Sequence, residues 1–163
     1  MAKVVLIGLD CAEPSLVFDK WIQELPNLRR LMVSGTYGRL RSCDPPITVP
    51  AWACMMTSRD PGELGVYGFR NRKSHDYDAL GIASSFSIQP DRVWDILGKA
   101  GRDVVVVGVP PTYPIRPVKG NLISCFLTPN LDSPHTHPPE LQEEISDLVG
   151  EYPVSYTHLP LPT

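Results

Sequence analysis

Apolar positions along the chain fall into two kinds of run. Lys3 to Leu9 (KVVLIGL) is β-branched and apolar without alternation, the pattern of a strand covered on both faces in a parallel sheet, and it ends at Asp10. Val104 to Val109 repeats the pattern and Leu122 to Leu127 is a third strand of the same kind, while Thr36 to Ser42 alternates enough for a strand of its own. Between them the period changes to that of helices. Pro14 with Leu16, Val17, Trp21 and Ile22 predicts a short amphipathic helix, and Pro26 with Leu28, Leu31 and Met32 a second, stopped by Gly35. Ala51 to Thr57 is compact and apolar, with Pro50 admissible in a first helical turn. Pro90 and Asp91 open a helix whose apolar face is Val93, Ile96, Leu97 and Ala100, closed by Gly101. Leu141, Ile145, Leu148 and Val149 place a surface helix over Pro138 to Gly150. Cys43 to Pro50 reads as a Pro-rich turn and Arg59 to Tyr77 as loop. Strands alternating with helices predict an α/β fold with a mainly parallel sheet.

Composition and local sequence sharpen this picture. The chain has 163 residues, enough for about one domain with a real core. Apolar residues make up 42%, and no apolar run approaches the ~18 residues of a membrane span, so a soluble chain with no membrane partner is expected. Lys plus Arg number 15 against 18 Asp plus Glu, a net charge of -3 with no basic run to track a phosphate backbone, which argues against nucleic acid as the main partner. The start MAKVVLIGLD is too short in its apolar part for a signal peptide, and the expected compartment is the cytoplasm. Cys11, Cys43, Cys54 and Cys125 form no CxxC pair and suggest neither a disulfide framework nor a structural zinc; reduced, mostly buried thiols are expected. Val154 to Thr163 (VSYTHLPLPT) has neither period and reads as a non-native tail resembling a translated sequencing adapter, which makes residues 1–153 the folding part.

Two residues stand where chemistry is done in such folds. Asp10 lies where the first strand leaves the sheet, and ligands collect outside the carboxyl ends of strands; it is a candidate metal ligand, or a turn Asp capping the next helix. Thr48, within Pro45-Pro46-Ile47-Thr48-Val49-Pro50-Ala51-Trp52, falls on a turn before an apolar helix. There its hydroxyl faces an anion site of backbone N–H groups, or serves as an ordinary N-cap. His75, Asp76 and Asp78, and His135 with His137, are metal-friendly types in polar loops, where solvation is the simpler expectation; so are Arg59, Arg70, Arg72 and Lys73 for a phosphate clamp. Trp52 could line a pocket, but an aromatic in that helix is more often core.

The ordered set Val5-Leu6-Ile7-Gly8-Leu9-Asp10, Leu25-Pro26-Asn27-Leu28, Pro46 to Trp52, Pro61-Gly62, Gly65-Val66, Arg92 to Leu97, Val109 to Pro114 and Phe126 to Pro129 resembles the opening of the alkaline phosphatase superfamily. The type I phosphodiesterase and nucleotide pyrophosphatase group is most similar, with its phosphohydrolase and phosphomutase branch. Cys11, where that family usually has Gly, and Leu64, where a His commonly precedes Gly-Val, depart from its pattern. The resemblance implies a three-layer α/β/α sandwich with a mostly parallel central sheet, here truncated. It also implies two divalent metal ions, zinc or manganese, with Asp10 as a ligand. Thr48 is then both ligand and nucleophile, forming a phospho-threonine with a small phosphate ester. The remaining Asp and His ligands of the family lie in a C-terminal half not contained in these residues, so the expected state of this piece is an inactive N-terminal fragment. A phosphomutase using the same first half-reaction and a non-catalytic relative are the alternatives. A sulfatase is disfavoured because neither Cys43 nor Cys54 sits in Cys-x-Pro-x-Arg. Substrate identity and oligomeric state are not legible.

Overall fold

In the computed structural model, residues 3–76, 78–130 and 132–150 are described, so the tail expected at Val154 to Thr163 lies outside the described residues. The chain divides into two compact units, Met1–Arg41 and Ser42–Thr163.

In the first unit, Lys3 to Leu9 does not form the expected strand. It carries no regular secondary structure, and Val4 is 90% and Ile7 78% exposed. A strand exists through its ladder of hydrogen bonds to a neighbour, and among the described residues no sheet includes this run. Thr36 to Ser42 departs from its expected strand in the same way. The helical expectations fare better. A short π-type helix covers Ser15–Lys20, entered through Pro14 and held by Glu13, whose carboxylate accepts the amides of Ser15 (3.0 Å) and Leu16 (3.2 Å). Those bonds, the Ser15 hydroxyl first among them, hold the Glu13 carboxyl below its ordinary pKa. Helix α1 spans Pro26–Ser34 with Pro at its start. Gly35 does end it, but in extended conformation: a Cβ there would lie 3.0 Å from the Leu31 carbonyl oxygen, which accepts the Gly35 amide at 2.8 Å.

The second unit is built on helix α2, Thr48–Thr57, which begins earlier than the apolar run suggested. It is apolar almost all round because it serves two cores. Val49 and Ala53 pack with Leu64, Val66, Ala83 and Ile88, and Met56 packs with Trp94, Val106 and Leu122. The helix ends at Ser58, which takes a left-handed φ of 55° and returns its amide to Cys54 (2.9 Å). The expected loop from Arg59 contains a further helix, α3, Pro61–Leu64, closed by a reciprocal cap: the Asp60 side chain accepts the Glu63 amide and the Glu63 side chain accepts the Asp60 amide. It also contains strand β1, Arg70–Arg72, paired antiparallel with β2, Leu80–Ile82.

Helix α4, Val93–Lys99, corrects its predicted face. Val93, Ile96, Leu97 and Ala100 are exposed, whereas Trp94 is buried at 6%. Trp94 packs with Met56, Val106 and Leu122, so one large aromatic rather than a branched stripe carries the contact of this helix with the core. Strand β3, Val104–Val107, lies parallel to β4, Gly120–Ile123, in register Val104 to Gly120, and β4 is antiparallel to β5, Thr136–His137. Gly120 has φ +128°, and a Cβ on it would overlap the Val104 carbonyl oxygen, so this strand pairing requires glycine. Helix α5, Leu141–Val149, lies at the surface, with Leu141 and Ile145 half-buried. The architecture is mixed α/β, with a three-stranded sheet ordered β3-β4-β5 and a separate two-stranded one. Among the described residues no helix is long and apolar enough to cross a membrane.

Candidate active site

Thr48 is the first residue of α2, after a turn that the sequence makes rigid. Pro45 and Pro46 restrict the entering backbone, and the Ile47 amide closes onto the Pro45 carbonyl at 2.9 Å. Ile47 is the residue in cap position, with extended φ and ψ of -108° and 147° and no side-chain cap bond. Thr48 itself stands at the first helical position and is half-buried. Val49 and Pro50, both buried, anchor the start of the helix in the core and so fix the place of Thr48. Thr48 and Val49 carry backbone N–H groups in this first turn, whereas Pro50 has none.

Asp10 occupies the turn that follows Leu9 in the first unit and is exposed. Its Oδ2 accepts the Cys11 thiol at 3.7 Å. Cys11 takes a φ of 56°, the left-handed region where glycine is at ease, which gives a physical reason for the glycine expected after that Asp. Asp10 and Thr48 belong to different units, and each is placed within its own.

The other sequence candidates sort differently. His75, Asp76 and Asp78 are exposed in the connection from β1 to β2, as a solvated loop requires. His135 and His137 are not solvated loop residues. His135 is 4% exposed with Nδ1 2.9 Å from the Ser133 carbonyl, and His137 stands in β5 with Nε2 3.1 Å from the Val118 carbonyl. Pairing of β5 with β4 draws this segment into the sheet, which two polar residues flanked by Pro gave no reason to expect. Arg59 pairs with Glu63 at 3.0 Å on the surface. Arg70, Arg72 and Lys73 are exposed. Trp52 packs against the Met56–Trp94 core, which favours its structural reading. Of the four cysteines, Cys125 alone is buried; Cys43 and Cys54 are half-buried and Cys11 exposed.

Sequence reasoning missed a buried polar framework beside α2. Arg92, 3% exposed, donates from Nη2 to the carbonyl of Ser85 and, at 3.4 Å, to that of Ile88, and its Nη1 lies 3.4 Å from Asp95. Burial lowers its pKa from the usual arginine value, an effect that Arg116 reinforces and Asp95 opposes. Ser85 in turn donates its hydroxyl to the Pro114 carbonyl at 2.6 Å. Thr112 Oγ1 accepts the Cys125 amide at 3.0 Å, and the hydroxyls of Ser124 and Thr128 are 2.5 Å apart. The segments Val109 to Pro114 and Phe126 to Pro129, singled out by resemblance, are thus hydrogen-bonding joints of the fold. Their signal was the clustering of Ser and Thr with Pro, which marks loops and says nothing about burial.

The family comparison decides the identity. The model of the type I phosphodiesterase / nucleotide pyrophosphatase family matches residues 4–160. The chain belongs to this family. Searches of curated proteins and of solved structures return no significant match. Membership agrees with the alkaline phosphatase superfamily indicated by the motifs, and the family is one of phosphoric ester hydrolases. Metal ligation is a separate matter. Among the described residues, no group of three or more His, Cys, Asp and Glu could hold a metal ion. Asp10 and Thr48, the two side chains singled out for a metal, lie one in each unit.

Proposed function

We propose that this phosphodiesterase/nucleotide pyrophosphatase family chain carries the nucleophile segment of a phosphoric ester hydrolase, with Thr48 as nucleophile. The observation that supports it is the placement of Thr48: a hydroxyl at the first position of α2, on a Pro-bounded turn held by buried Val49, in a family that hydrolyses phosphoric esters. Thr48 Oγ1 forms a bond to phosphorus as the bond to the departing ester oxygen breaks. Water then attacks the phospho-threonine, and the Thr48 hydroxyl is restored. A rigidly held nucleophile favours this step because its orientation is settled before substrate arrives.

In the same reading Asp10 is a ligand to one of two divalent ions, zinc or manganese. The further donors that such a pair needs are then supplied by parts of the parent protein other than residues 1–153, which by themselves are an inactive N-terminal piece. The β3-β4-β5 sheet is then part of a larger, mostly parallel sheet in a three-layer sandwich. The substrate is a small phosphate ester and the compartment the cytoplasm.

The test is zinc- and manganese-dependent hydrolysis of bis-p-nitrophenyl phosphate and p-nitrophenyl phosphate by the full-length parent, beside its Thr48→Ala and Thr48→Ser variants. Loss of turnover in Thr48→Ala with partial retention in Thr48→Ser is the expected result. Undiminished hydrolysis in Thr48→Ala would remove Thr48 from the chemistry, and a metal-loaded parent inert to both esters would point to a phosphomutase or a non-catalytic relative.

A further inference from the structure

Arg116 stands beside a second cation with no carboxylate of its own. Its Nη1 donates to the Ile88 carbonyl at 3.4 Å, and Nη2 of Arg92 donates to the same oxygen at 3.4 Å. Two guanidinium groups thus share one acceptor, which brings like charges close together, and Arg116 adds to burial in lowering the Arg92 pKa. The fold enforces this approach. Ser85 donates its amide to the Tyr113 carbonyl at 2.7 Å and its hydroxyl to the Pro114 carbonyl at 2.6 Å, and Ile115 packs against the Trp94 core, so the chain leading to Arg116 is fastened beside Ser85–Ile88. The carboxylates flanking Arg92 are already engaged, Asp95 by Arg92 at 3.4 Å and Asp91 by Lys99. Among the described residues Arg116 forms no ion pair. Arg92 is 3% exposed and turned to carbonyls of the fold, whereas Arg116 is exposed and leaves the rest of its N–H donors to solvent.

We propose that Arg116, with the buried Arg92 cation behind it, is a binding site for a dianionic phosphate group, either inorganic phosphate or the phosphoryl end of a monoester. The Arg116 fork presents paired N–H donors that match two phosphate oxygens. Arg92 does not touch the anion; its charge, held in place by the Ser85 and Ile88 carbonyls, adds to the attraction from inside the fold, where screening by water is weak. Two adjacent cations favour a dianion over a monoanion such as acetate, and a phosphate monoester carries close to two charges in mildly alkaline solution. Binding also removes the repulsion between the two guanidinium groups, so the anion and the fold stabilise each other. The site lies within the second unit and uses no atom of Thr48, and it stands whether or not Thr48 is a nucleophile.

The folded 163-residue chain is titrated with inorganic phosphate, phenyl phosphate and acetate by isothermal titration calorimetry, in mildly alkaline buffer with ionic strength held constant by sodium chloride, and its thermal melting is followed in the same solutions. The expected result is saturable binding of phosphate, roughly tenfold weaker for acetate and for the Arg116→Gln chain, intermediate in Arg116→Lys and unchanged in Thr48→Ala. Phosphate should raise the melting temperature of the unsubstituted chain and not that of Arg116→Gln, and the two should melt together in chloride alone. Tighter binding of phenyl phosphate assigns the site to the phosphoryl end of an ester, and tighter binding of inorganic phosphate to the free ion. No saturable binding, equal binding by Arg116→Gln, loss of binding in Thr48→Ala, or equal affinity for acetate and phosphate would each overturn the proposal. So would an Arg116→Gln chain that melts well below the unsubstituted one in chloride, since Arg116 would then be a joint of the fold.

Discussion

Replacing Arg92 by Met tests whether the buried guanidinium holds the second unit together. Met keeps most of the length and apolar volume, so the loss is chiefly of hydrogen bonds. The Ser85 carbonyl loses a charged donor, a loss of ~2 kcal/mol, and the Ile88 carbonyl loses a longer bond while keeping that from Arg116 (3.4 Å), ~1 kcal/mol more. Asp95 loses its partner, but its side chain is 21% exposed and still accepts the residue-92 amide at 2.9 Å, so ~1 kcal/mol is a fair allowance. Against these stands relief from burying a cation, which the lowered Arg92 pKa registers, offsetting ~1 to 2 kcal/mol. The net is a destabilisation of about 2.5 kcal/mol, or roughly a hundredfold in the folding equilibrium. Urea titration followed by tryptophan fluorescence, with Trp94 as a buried reporter, should show the midpoint falling by about 1 to 2 M. Arg92→Lys, able to reach one carbonyl at a time, should fall between the two. A Met variant within about 0.5 kcal/mol of the parent would refute the assignment of Arg92 as a joint of the fold.

Other positions give separate tests. Cys11→Gly relieves the left-handed φ of 56° and should raise stability by ~1 kcal/mol, measured by thermal melting; a lower melting temperature would remove strain as the account of Cys11. Gly120→Ala drives a Cβ into the Val104 carbonyl and should abolish the cooperative transition of the β3-β4-β5 sheet, seen by circular dichroism. The Cys54 pKa is pushed up to about 11 from 9.0, first by burial and then by Cys43, so its iodoacetamide rate should keep rising with pH up to about 11. A folded pKa above the unfolded one means this group's contribution is intact below pH 9 and lost as pH rises through about 11, and Cys54→Ala should flatten that loss in alkaline urea titrations. Val105 and Val107, 74% and 51% exposed on edge strand β3, predict self-association of the 163-residue chain. Sedimentation velocity of a Val105→Lys/Val107→Lys chain should show it reduced.

Much of the helical layout was written locally. Pro26 at the start of α1, the apolar run of α2, and Gly101 after α4 each act through backbone geometry within a turn or two of themselves, so the sequence determined them. The Asp60-Pro61-Gly62-Glu63 cap of α3 is equally local, although it lies inside a Pro- and Gly-rich stretch that reads as loop. Family membership was legible too, because it rests on an ordered series of short motifs rather than on any contact. What tertiary structure decided was which apolar face meets a partner. Val93, Ile96 and Leu97 look like the core face of α4, yet Trp94 is the residue buried against Val106 and Leu122. Lys3 to Leu9 has every strand propensity and no ladder among the described residues, since pairing needs a neighbour that local sequence does not encode. His135, Arg92 and the Ser124–Thr128 pair are buried because β5 and the Pro-rich crossover from β3 to β4 close over them. Polar residues enter a core only when long-range partners satisfy them, and those partners become adjacent only once the chain has folded.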